Sequence, residues 1–85
     1  LDCQLNIKNY EVLKKHFGNV DVYYTDMEDQ ILVSIPVWNF SYLWNMIKND
    51  NEAKQECLKA LSLPMLEEHA IELSNHIYHY IQWGQ

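Results

Sequence analysis

The residues best suited by type to do chemistry are His69, Glu72, His76 and His79. Their spacing of three, four and three places them on one stripe of a helix, since a turn takes about 3.6 residues. Imidazole nitrogens and a carboxylate so spaced can reach one metal ion. His69 with Glu72, and Glu72 with His76, are therefore candidate ligand pairs, with His79 one turn further on. Histidine charge also changes near neutral pH, which makes the stripe a candidate proton-linked switch. The sequence has no His-Glu-x-x-His, and no second helix carries the Glu-x-x-His of a di-iron bundle. The stripe runs beside the apolar face of its helix, so its plain reading is a solvated polar surface, and no cofactor is expected.

Other chemistries find less support. Asp26, Glu28 and Asp29 crowd one segment, but a calcium loop of the EF-hand type needs a glycine and a bidentate glutamate that are missing. Cys57 could pair with a histidine as a nucleophile, yet it falls in a helical pattern among apolar residues, where a thiol is inert. Gly18 and Gly84 stand alone, so there is no glycine-rich phosphate loop. No catalytic constellation emerges, and the expectation is a protein that is not an enzyme.

A second cluster is aromatic. Trp38, Phe40, Tyr42 and Trp44 follow at intervals of two, with Met46 next and Trp83 near the C-terminus. Core packing is the plain reading. One compact core cannot easily absorb all of these rings, however, and Trp and Tyr commonly anchor protein interfaces. Trp38, Tyr42, Met46 and Trp83 are therefore the candidate partner-binding residues.

Composition narrows the partners. Twelve acidic residues face six basic ones, all lysine, for a net charge of −6. Arginine, which grips phosphate in two-point geometry and reads guanine edges, is absent, and the net charge repels a phosphate backbone. The sequence thus argues against nucleic acid and favours a basic protein surface. No apolar run approaches the roughly 18 residues of a membrane span. Two cysteines, Cys3 and Cys57, are fewer than a secreted disulfide framework carries, which favours reduced thiols and a cytoplasmic location.

Eighty-five residues make one small domain, or a piece of a longer chain that begins here at Leu1. Tyr10, Leu13 and Phe17 predict a first helix over 9–17, capped by Asn6 or Asn9 and closed by Gly18. Residues 3–7 alternate and suggest a short strand before it. Residues 20–37 predict an antiparallel hairpin, with a four- or five-residue loop because no Asn-Gly or Asp-Gly is present. After Pro36, the spacing of Phe40, Leu43, Trp44 and Ile47 predicts a helix. Asn51 then caps a short helix with Ala53, Cys57, Ala60 and Leu61 on one face. A last helix starts with Pro64 in its first turn and carries Leu66, Ala70, Leu73, Ile77, Tyr80 and Ile81 as its core stripe.

The expected fold is therefore α+β: an N-terminal helix, an antiparallel hairpin, then two or three helices packed on it, with an all-α bundle as the alternative. The expected function is a small acidic regulator, inhibitor or immunity-type module that binds another protein. The alternatives are a homo-oligomeric structural domain or segment of a larger protein, and a metal-binding protein using the His/Glu stripe.

Overall fold

The computed structural model of the protein describes residues 4–12, 18–47 and 49–84. Four antiparallel strands come first: β1 (Gln4–Val12), β2 (Gly18–Met27), β3 (Gln30–Ile35) and β4 (Phe40–Asn45). They form one sheet in the order β1-β2-β3-β4, so each strand pairs with its neighbour in the chain. Two helices follow, α1 (Asp50–Leu61) and α2 (Glu67–Trp83). Both pack on the same face of the sheet, α1 against β4 and α2 against β1.

The architecture is α+β overall, but the expected N-terminal helix is overturned. Asn9–Val12 belong to β1, while residues 13–17 of that expected helix lie outside the described residues. Tyr10 pairs with Val20 across the strands and Val12 with Gly18. Cross-strand pairing of β-branched and aromatic side chains outweighs a helical spacing that only three residues carried. Gly18 opens β2 at φ 108°, a conformation that suits glycine. Residues 4–7 of the short strand expected over 3–7 are the start of this longer β1, and Cys3 lies outside the described residues.

The helix expected after Pro36 is overturned as well. Pro36–Trp38 form a single 3-10 turn, and Phe40–Asn45 form β4. Phe40, Tyr42 and Trp44 sit opposite Ile35, Val33 and Ile31. Their interval of two is a strand period, and Leu43 merely happened to complete a helical one. Asn39 joins turn to strand at φ 53°, and its backbone N–H donates to Pro36 O at 3.0 Å. Asparagine tolerates this left-handed position better than most residues.

The hairpin expected over 20–37 is present, with a shorter loop. Met27 pairs with Gln30, which leaves only Glu28 and Asp29 in the connection. Neither has positive φ, so this is not one of the primed turns that two-residue loops favour. Met46 N donates to Asp29 O at 2.8 Å and ties the turn to the end of β4.

Helix ends also shift. Asn49, rather than Asn51, caps α1, its Oδ1 accepting from Asn51 N at 2.9 Å and Glu52 N at 3.3 Å. Pro64 precedes α2 instead of lying in its first turn, and Leu66 is 59% exposed instead of joining the core stripe.

The core lies between sheet and helices. Val20, Val22, Tyr24, Ile31, Val33, Ile35, Phe40 and Trp44 meet Ala53, Cys57 and Leu61 of α1 and Ala70, Leu73, Ile77 and Ile81 of α2. Among the described residues, no helix is long and apolar enough to cross a membrane.

Candidate functional site

α2 carries the four polar residues of the stripe into different surroundings. His69 is buried, contrary to the exposed position expected for it. Glu72 and His76 are half-buried and His79 is exposed. The rotation of about 100° per residue leans the N-terminal end of the stripe toward the sheet side. His76 stacks on Tyr10 with ring centroids 4.7 Å apart, and His79 packs against Trp83 at 4.8 Å. Glu72, His76 and His79 line a groove of about 480 Å³ with Glu11 and Asn75. Among the described residues, no three His, Cys, Asp or Glu side chains converge in a way that could hold a metal ion.

Beneath that groove lies a network of tyrosines. The Tyr10 and Tyr24 hydroxyls are 2.8 Å apart and share a hydrogen bond. Tyr24 stacks on Tyr80 at 3.7 Å, and Asn6 Nδ2 donates to the Tyr80 hydroxyl at 3.0 Å. Burial pushes the Tyr24 hydroxyl far above its ordinary value, and it raises Tyr10 as well. Burial likewise pushes the Cys57 thiol up to about 12. These groups keep their protons near neutral pH, so none is poised as a nucleophile or a base.

The candidate partner-binding residues divide between inside and outside. Trp38 and Tyr42 are half-buried and pack against the core. Tyr42 donates its hydroxyl to Glu56 Oε1 of α1 at 2.9 Å and meets Trp44 edge-on at 6.0 Å. Met46 and Trp83 are exposed, at 42% and 62%. Trp83 ends a run of ring contacts from Trp44 through Tyr78.

The sequence reading missed the other face of the sheet, which the helices leave open. Strand register places Leu5, Thr25, Leu32 and Leu43 in one row across all four strands. Ile7, Tyr23, Ser34 and Ser41 form the next row. Leu5 is 58% exposed, Ile7 53% and Leu43 44%, while Tyr23 and Leu32 are half-buried by their neighbours. Met27, at the end of β2, is also exposed. A one-sided antiparallel sheet ordinarily shows water a polar face, so apolar rows there are informative. The alternation Leu5-Asn6-Ile7 was the signal available in the sequence; Leu43 was concealed by its assignment to a helix.

Among the described residues, the charged side chains in register with this face are acidic. Asp21 lies toward one end of β2 on this face and accepts from Asn9 Nδ2 at 2.9 Å, whereas Glu11, of the same strand parity in the edge strand β1, lines the groove beside α2. Glu28 and Asp29 form the turn at the opposite end. Among the described residues, Lys54 and Lys59 are on α1, and Lys8 has the strand parity of the covered face.

The profile of the family described as YueH-like protein matches residues 6–83. The chain belongs to that family. For this YueH-like chain the match runs from within β1 to the last residue of α2, so it takes in the sheet and both helices. No curated protein and no solved structure matches it.

Proposed function

We propose that this YueH-like protein is a non-catalytic interaction module that binds another protein through the open face of its sheet. The observation that carries the reading is the apolar row Leu5, Leu32 and Leu43, interrupted only by Thr25, laid across all four strands. Burying aliphatic side chains that now meet water contributes roughly 25 cal/mol per Å², and a rigid sheet loses little entropy in presenting them. Backbone hydrogen bonds on both sides hold β2 and β3 in place, so the centre of the surface is pre-organised. The sequestered protons of Tyr10, Tyr24 and Cys57 fit a role without chemistry.

Affinity capture from cells of the source organism tests this, with wild type and Leu43→Asp compared side by side. The reading expects a partner retained by the wild type and lost by the variant while the variant's circular dichroism is unchanged. Identical retained sets from two folded proteins would exclude the open face as the contact surface.

A further inference from the structure

We infer that β1 pairs with β1 of a second copy of this chain, antiparallel about a two-fold axis, joining two sheets into one. The inference is independent of the reading of the open face, because it rests on the backbone of the edge strand.

A strand at the edge of a sheet carries unpaired N–H and C=O groups along its outer side, and another extended strand satisfies them in a row. Proteins ordinarily guard such edges with short strands, proline, bulges or covering elements. The two edges of this sheet differ in that respect. β4 is six residues long, follows a turn that opens with Pro36, and is tied to α1 through the Tyr42 hydroxyl and Glu56. β1 is nine residues long, contains neither proline nor glycine, and pairs with β2 in unbroken register, so no bulge twists it away. Residues 5–9 are all exposed, Asn6 and Lys8 on the helix side as well as Leu5, Ile7 and Asn9 on the open side. Among the described residues, no backbone group pairs with the outer edge of β1. With no strand flanking them there, Leu5 is 58% and Ile7 53% exposed, whereas Leu32 inside the sheet is half-buried.

The strand is also complementary to itself. Opposed residues in an antiparallel pair point to the same face. A two-fold axis normal to the joined sheet keeps the faces matched, so it must pass beside a residue and not between two. Centring on Lys8 sets lysine against lysine and Leu5 against Glu11, and centring on Asn9 sets Ile7 against Glu11. Centring on Ile7 sets Ile7 on its copy, Leu5 on Asn9 and Asn6 on Lys8, with no like charges opposed. This register pairs residues 4–10 of the two copies, so Glu11 and its groove beside α2 fall outside it. Both open faces then lie on one side, and the row of Ile7, Tyr23, Ser34 and Ser41 continues from one copy into the other. The net charge of −6 on each copy opposes association at long range, a term that salt screens.

Light scattering at physiological ionic strength, over roughly 10 μM to 1 mM, tests this on the whole chain. The mass should rise with concentration from 10.2 kDa toward twice that value. Backbone N–H groups of consecutive strand residues point to opposite edges, so Ile7→Pro and Lys8→Pro remove one inner and one outer N–H between them. The variant that keeps the wild-type circular dichroism should stay at the monomer mass, and Leu43→Asp, remote from β1, should still dimerise. Ile7→Cys and Leu43→Cys, each in a Cys3→Ser background, keep the test open if both proline variants unfold. With copper phenanthroline as oxidant, Ile7→Cys should form a disulfide-linked dimer roughly tenfold or more faster than Leu43→Cys, because pairing holds the two thiols together.

A monomer mass throughout, or equal oxidation rates for the two cysteine variants, would overturn the inference. So would a dimer that persists in the folded proline variant. A dimer that Leu43→Asp dissociates would overturn it too, and would assign self-association to the open face.

Discussion

Leu43 and Trp44 are consecutive in β4 and stand on opposite faces of the sheet. Trp44 is fully buried against the helices, whereas Leu43 is 44% exposed on the uncovered side. The pair marks the division between the residues that hold this fold together and those it leaves for contact.

Replacing each by alanine should separate the two roles. Trp44→Ala removes a ring from a closed core and should cost about 3–5 kcal/mol, close to the whole stability of a small domain. Leu43→Ala loses only partly covered area and should stay within about 1 kcal/mol. Urea titration followed by far-ultraviolet circular dichroism measures both. Similar losses for the two variants would mean that the face assignment is mistaken.

The hydroxyl pair Tyr10–Tyr24 fixes the alkaline limit of stability. Burial raises both tyrosines above 10.0 in the folded protein and raises Cys57 from 9.0 to about 12. A raised folded value means the unfolded chain releases its proton first as pH climbs. The stabilisation is therefore complete below pH 9 and lost progressively above it, first through Cys57 and then, beyond pH 10, through the tyrosines. Denaturant midpoints should fall steadily over that range and fall less in Tyr24→Phe, which has no proton to release. A midpoint independent of pH above 10 would contradict the buried network.

Cys57 should be chemically silent while the protein is folded. Its thiol is fully buried on α1 and held protonated, so iodoacetamide finds neither access nor thiolate. Mass spectrometry of the peptide containing Cys57 should show alkylation only after denaturant is added. Cys57→Ser should destabilise by about 1–3 kcal/mol, because serine brings a more strongly hydrated hydroxyl into the same apolar site.

The start of α1 offers a discriminating pair of asparagines. Asn49 accepts two backbone N–H groups, and one of them belongs to Asn51. Asn49→Ala should therefore cost about 1 kcal/mol. Asn51→Ala, at an exposed first-turn position, should stay within about 0.5 kcal/mol. Thermal melts of the two variants provide the comparison, and a larger loss at Asn51 would return the cap to the residue the sequence suggested.

The sequence disclosed its helical half far better than its sheet. Ala53, Cys57 and Leu61 in α1, and Ala70, Leu73, Ile77 and Ile81 in α2, keep a helical period long enough to identify. β2 and β3 announced themselves through Val22, Tyr24, Val33 and Ile35. β1 and β4 did not, for the same physical reason: they are the edge strands, and both of their faces carry apolar residues. In β4, Phe40, Tyr42 and Trp44 turn to the core while Leu43 turns away, so residues from two faces merge into one apparent stripe. Tyr10 misled in the same way, because its partner Val20 is ten residues ahead and the pairing cannot be read locally. The candidate surface shared this fate. Leu5, Leu32 and Leu43 are far apart in the chain, and only strand register brings them into one row.

The central claim is that this row is where another protein binds. Isotopically labelled protein, titrated with the partner retained in affinity capture and followed by backbone amide resonances, tests it most directly. The amides of Leu5, Ile7, Leu32 and Leu43 should shift or broaden first, with those of His79 and Trp83 unaffected. Perturbations centred on His79 and Trp83, with all four strands silent, would contradict it.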